Sequence, residues 1–163
     1  TPQKKPELTT RDEKPELPSE TVKNVRNSKL YFAVVDEAGE ISLTSVVRPI
    51  TYVDSPLFET IKTLTKGLTP SELNRGYISL IPEKAELKSA IVRDGIAYLD
   101  FSEDFRFNSF GVEGYKTQLK QVIYTATEFS NVKLVQITIE GQKHQYLAPE
   151  GIFIGAPLSR ESF

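Results

Sequence analysis

Val92-Arg93-Asp94-Gly95-Ile96-Ala97-Tyr98-Leu99-Asp100-Phe101 sets an Asp-Gly pair between two apolar runs. Both central positions of a two-residue hairpin turn need φ > 0. Glycine adopts that conformation freely, and Asp more readily than most residues. The stretch therefore predicts two antiparallel strands, Leu87–Arg93 and Ile96–Phe101, folded about Asp94-Gly95.

A second hairpin is predicted upstream. Residues 30–35, Leu-Tyr-Phe-Ala-Val-Val, are rich in aromatic and β-branched types, which favour a strand. Asp36-Glu37-Ala38-Gly39 reads as a turn, and residues 41–47 alternate as a returning strand. Asp54-Ser55-Pro56 then announces a helix, with Ser55 as its cap and Pro56 in its first turn. Leu57, Ile61, Leu64 and Leu68 recur at helical spacing, and Gly67 ends the element. One further helical turn is expected near residues 71–74.

Downstream, residues 102–111 read as a polar and aromatic loop. A second long helix is expected over 112–129, with Val112, Tyr115, Leu119, Val122, Ile123, Ala126 and Phe129 on one face. Residues 132–139 read as a last strand, and Ile152, Phe153 and Ile154 as a tail that packs back. The order is β-β-α-β-β-α-β. This is the pattern of an α+β domain, a small mixed or antiparallel sheet with helices on one face. Its strand edges at 30–35 and 132–139 are candidates for pairing with another chain.

The chain has 163 residues, enough for one ordinary core. Residues 1–27 carry four prolines (Pro2, Pro6, Pro15, Pro18) and 11 charged residues, with few large apolar side chains. Such a stretch buries too little surface to offset its ordering entropy. It is expected to be a flexible leader, either a tether or an ordinary end, with the folded domain over 28–163. Twenty basic and 22 acidic residues give a net charge of −2, which provides no long-range attraction for nucleic acid. The absence of cysteine excludes disulfides, thiol catalysis and cysteine-ligated metal. No run of 18 apolar residues occurs. The chain opens at Thr1, without Met, which suggests that an upstream segment has been removed.

Several stretches at compatible spacings together resemble the GerMN domain, a family named for sporulation and spore germination. They are the opening strand Leu30-Tyr31-Phe32, the helix end from Leu64 to Thr69, and the Ile81-Pro82 step. The hairpin from Val92 to Phe105 is similar to the family's own. So are Gln121 to Phe129 followed by Val132 to Val135, and Pro157-Leu158-Ser159 at the close. Residues 108–114 depart from the pattern, being shorter and more aromatic. The resemblance implies a bacterial extracytoplasmic protein, anchored or secreted, that often accompanies peptidoglycan-associated modules. It brings no catalytic set. Under it, residues 1–27 would be a spacer to the membrane.

The candidate sites follow from residue chemistry. His144 is the only histidine and sits between Lys143 and Gln145, so it reads as a surface residue. Asp100, Glu103 and Asp104 could divide acid and base work or collect Ca²⁺, but their place after a strand suits capping. Glu128, near a helix C-terminus, is expected to bond structurally. Gly111 and Gly114 match no phosphate-loop spacing and read as hinges. The aromatic set Phe101, Phe105, Phe107, Phe110 and Tyr115 can stack on sugars or close a small core. Contacts to a ligand or partner are therefore assigned to Phe105, Arg106, Phe107, Asn108, Phe110 and Tyr115. The expected function is non-catalytic, with no cofactor and no metal. It is an envelope scaffold that associates with itself or with another envelope protein. The alternative is a peptidoglycan- or glycan-binding module, and a hydrolase using Asp100 and Asp104 is a third reading.

Overall fold

The computed structural model describes residues 22–149 and 151–163. Most of the predicted leader, residues 1–21, lies outside them. The remainder of that leader is not a leader in structure. Strand β1 (Asn24–Val35) starts four residues before the expected Ser28, because residues 24–27 pair with residues 49–52. Strand β2 (Ile41–Tyr52) is correspondingly longer than predicted. Helix α1 (Pro56–Lys66) is capped as its sequence requires, the Phe58 N–H donating to Ser55 Oγ at 3.0 Å. The short α2 (Pro70–Asn74) begins with a reciprocal capping box between Thr69 and Glu72. Strands β3 (Leu87–Arg93) and β4 (Ile96–Phe101) follow, then α3 (Gly111–Ala126) and β5 (Leu134–Ile139). The turn between β3 and β4 has φ of 52° at Asp94 and 79° at Gly95, both in the left-handed region.

These strands divide between two sheets. β1 and β2 form an antiparallel ribbon, while β3-β4-β5 form a mixed sheet in which β5 runs parallel to β4. Helix α3 packs chiefly on the ribbon and also touches β5 and α1. Leu30, Phe32 and Ile50 of the ribbon, Leu57, Ile61 and Leu64 of α1, and Leu119, Val122 and Ile123 of α3 belong to one buried cluster. Leu99, Phe101, Val135, Ile137 and Ile139 of the mixed sheet belong to the same cluster. Fully burying each such side chain contributes roughly 1.5–3 kcal/mol. The tail joins them through Leu147, Ile152, Ile154 and Leu158, but Phe153 stays exposed.

The two strand edges singled out by sequence are occupied from within. Ala33 and Ile78 exchange N–H···O bonds of 2.8 Å, and Tyr31 N–H donates to Thr125 Oγ1 at 3.0 Å. The Tyr31 carbonyl accepts from Gln121 Nε2 at 3.1 Å. On β5, Val135 exchanges bonds with Leu158, and Ile139 with Gln142. The edge of β2 has no strand beyond it among the described residues. β3 is the other outer strand, shortened by a register shift between Leu87 and Ser89.

The ribbon is pinned to α2 by a largely buried ion pair. Arg48 Nη2 donates to Glu72 and to the Gly67 carbonyl. Burial acts to raise the Glu72 carboxyl. The Thr69 N–H and the Arg48 guanidinium outweigh it and hold that carboxyl below its usual range.

Candidate functional site

Phe101, at the end of β4, places its ring 4.1 Å from that of Phe105, nearly parallel, and both are fully buried. Such a pair adds about 0.5–1.5 kcal/mol beyond its area. It anchors a 3-10 turn, Glu103–Arg106, where sequence predicted only a loop. Arg106 Nε donates to the Leu147 carbonyl at 2.9 Å, tying the turn to the tail. Tyr115 is buried in α3. Its hydroxyl donates to the Arg106 carbonyl at 2.9 Å and accepts from the Asn108 N–H at 3.2 Å.

Asn108 is the keystone of the segment. Its Nδ2 donates to the Leu80 carbonyl at 2.8 Å and to Gln118 Oε1 at 3.0 Å, and its Oδ1 accepts from the Phe110 N–H at 2.9 Å. Gly114 makes this possible. A Cβ there would lie 2.6 Å from Phe110 Cβ and 2.7 Å from Asn108 Oδ1. Gly114 is thus a close-approach residue in a helix and not the hinge its sequence suggests. Gly111, with φ of 68°, is the residue that turns the chain into α3.

The six predicted contact residues therefore separate into two groups. Phe105 and Tyr115 are buried, and the hydrogen bonds of Tyr115, Arg106 and Asn108 hold the segment in place. Phe107 and Phe110 are 64% and 67% exposed. They flank a groove of about 440 Å³ whose other wall is residues 79–84, with Asp104 and Asn108 also lining it. Sequence reading missed that second wall and the polar face of α3 that fixes it. The Leu80 N–H donates to Gln121 Oε1, and Gln118 Nε2 donates to the Phe105 carbonyl. Gln118, Gln121 and Thr125 are fully buried amid an apolar helix face, and that contrast was the available signal.

Of the two carboxylates in the hydrolase reading, Asp100 is engaged and Asp104 lines the groove. Asp100 Oδ1 accepts from Thr138 Oγ1 at 2.5 Å and from the Gly141 N–H at 2.8 Å. Glu103 lies 3.5 Å from Arg106 Nη1. Among the described residues no three His, Asp or Glu side chains are grouped to hold a metal ion. Half-buried His144 lies between exposed Lys143 and Gln145.

Glu128 bonds structurally, as its position predicts. Its Oε2 accepts from Tyr31 Oη at 2.8 Å and Arg160 Nη2 at 2.9 Å. The Arg160 hydrogen bond is the main cause holding the Glu128 carboxyl below its ordinary range. Arg160 also stacks over the Tyr124 ring at 4.6 Å, so this cluster locks the tail onto α3 and β1.

Residues 29–145 match the family model described as Germane, sporulation and spore germination. The spore germination protein GerM of Bacillus subtilis (strain 168) is 27% identical over 129 residues. That match covers 78% of this chain and 34% of GerM, so the chain spans about a third of that relative's length. The structure of the tandem GerMN domains of GerM superposes with a TM-score of 0.69 at 21% identity, covering 85% of this chain and 46% of that one. The first GerMN domain alone gives 0.66 at 22% identity, with 83% of this chain and 98% of that one covered. A crystal structure of a candidate lipoprotein from Clostridium perfringens gives 0.59 at 20% identity, covering 84% and 89%. The fold is that of a GerMN domain, and with the family model covering most of its length the chain belongs to the sporulation and spore germination (Germane) family.

Proposed function

We propose that this GerM-like domain is a non-catalytic association module of a bacterial envelope protein that works outside the cytoplasm. One observation carries the reading, the outer edge of β2. Tyr31 and Ala33 of β1 turn their backbone groups away from β2. Their partners Ser45 and Leu43, and Val47 by the same alternation, turn theirs outward on the far side. No backbone partner meets them among the described residues. Pro49 falls at another outward position, where its missing N–H costs no ladder bond, as befits an edge strand. The accessible stretch is therefore 43–47, with Val47 at its end 63% exposed. An unpaired edge of this kind accepts a strand from another chain.

The partner in this reading is a second copy of the domain or an exposed strand of another envelope protein. GerM carries GerMN domains in tandem, and the structural neighbour from Clostridium perfringens is a candidate lipoprotein, which is in keeping with an extracytoplasmic site. The engagement of Asp100 by Thr138 and Gly141 supports a non-catalytic role.

The test is sedimentation velocity on the full chain from dilute to concentrated solution, with amide exchange at Ser45 and Val47. Association that rises with concentration, slows those two amides and is lost in Val47→Lys and Ser45→Pro is expected. Neither substitution removes a β1–β2 bond. A chain that stays monomeric, with both amides exchanging alike at every concentration, overturns self-association.

A further inference from the structure

We propose that the groove beside Phe107 and Phe110 binds an uncharged, hydroxyl-rich oligosaccharide. The inference is independent of the β2 edge and rests on other residues.

A second depression, of about 700 Å³, runs beside α1 and shares Glu83, Lys84 and Asp104 with the first. They adjoin at these residues, each within the size range of ligand sites, and the second is open to solvent. Its far wall is one face of α1, where Phe58, Lys62 and Lys66 recur at four-residue spacing.

Three properties select the ligand class. First, two large aromatic side chains are exposed on a segment that is held rigidly. The Asn108 and Tyr115 hydrogen bonds and the Gly114 contact fix the backbone on either side of Phe107 and Phe110. Rigid exposed rings lose little entropy on binding and offer apolar faces to the C–H faces of sugars. Second, the polar lining is mixed and balanced. Lys62, Lys66 and Lys84 stand with Glu83, Glu86 and Asp104. A polyanion such as nucleic acid would be repelled by half of these groups. Sugar hydroxyls both donate and accept, so ammonium and carboxylate groups each bond them favourably. Third, two adjoining open depressions suit a linear chain of rings better than a compact metabolite.

The experiment is titration of the full chain with a soluble N-acetylglucosamine hexamer, followed by amide chemical shifts and calorimetry. A hexamer of the same length built from uronic acid and N-acetylglucosamine is the charged comparison. Saturable binding of the neutral hexamer is expected, with shifts confined to 79–84, 104–110 and the exposed face of α1. Binding should persist in high salt, which screens charge but not stacking. Phe107→Ala combined with Phe110→Ala should weaken it at least about tenfold and leave the melting temperature unchanged, because both rings already face solvent. Val47→Lys should bind as the unaltered chain does. No saturable binding of the neutral hexamer overturns the proposal. So does binding that survives loss of both rings, or binding confined to the charged hexamer and abolished by salt. The last would mark simple adhesion to lysines.

Discussion

Replacing Gly114 by Ala tests whether the 107–110 segment is built by close approach to α3. At an ordinary helical position this change stabilises, since Ala is favoured over Gly by about 1 kcal/mol. Here the new methyl group would meet Phe110 Cβ at 2.6 Å and Asn108 Oδ1 at 2.7 Å, both inside contact distance. Asn108 must swing away, and it carries three hydrogen bonds, to the Leu80 carbonyl, to Gln118 Oε1 and from the Phe110 N–H. At about 1 kcal/mol net each, their loss costs about 3 kcal/mol. Subtracting the helix gain leaves a destabilisation of about 2 kcal/mol. For a domain of this size each kcal/mol lowers the melting temperature by about 2–4 °C. Urea denaturation of the full chain, fitted for midpoint and slope, measures the change. Asn108→Ala serves as a companion, since it removes the same bonds without the clash. If Gly114→Ala proves more stable than the parent, Gly114 is an ordinary helix glycine and the keystone role of Asn108 fails.

Two further substitutions probe other parts of the fold. The Glu128 carboxyl sits below its ordinary range because Arg160 and Tyr31 bond its charged form. Its contribution is therefore present above the unfolded carboxylate pKa of about 4.3 and is lost as pH falls through the lower folded value. Glu128→Gln should flatten the fall of urea midpoint between neutral and acid pH, and an unchanged slope would argue against the pairing. At the β3–β4 turn, Gly95→Ala should cost roughly 1–2 kcal/mol from backbone strain alone. Its φ is 79°, and an added Cβ would meet Lys133 at an ordinary 3.9 Å. Thermal melting reads this, and a neutral result would refute the turn geometry.

Local chemistry alone determined much of this protein. Asp94-Gly95 set the register of β3 and β4, because few residue pairs tolerate two consecutive left-handed positions. Ser55-Pro56 and Gly67 bounded α1 by capping, and the apolar spacings of α1 and α3 chose their buried faces. Family membership was also legible, since it lies in the order and spacing of such local signals. The boundary at Asn24 was not, because residues 24–27 are mostly polar and become a strand only by pairing with residues 49–52. Nor was the division into two sheets, which is a matter of which strands pair across the fold. The roles within the aromatic segment were hidden for the same reason. Phe105 and Phe107 have the same side chain and sit two residues apart. One is buried against Phe101 and the other faces the groove, and only the 3-10 turn between them decides which. Sequence spacing reports periodicity along one element. The outer edge of β2, the occupied edges of β1 and β5, and the groove between residues 79–84 and 104–110 come from elements distant in sequence. Tertiary packing alone decides them.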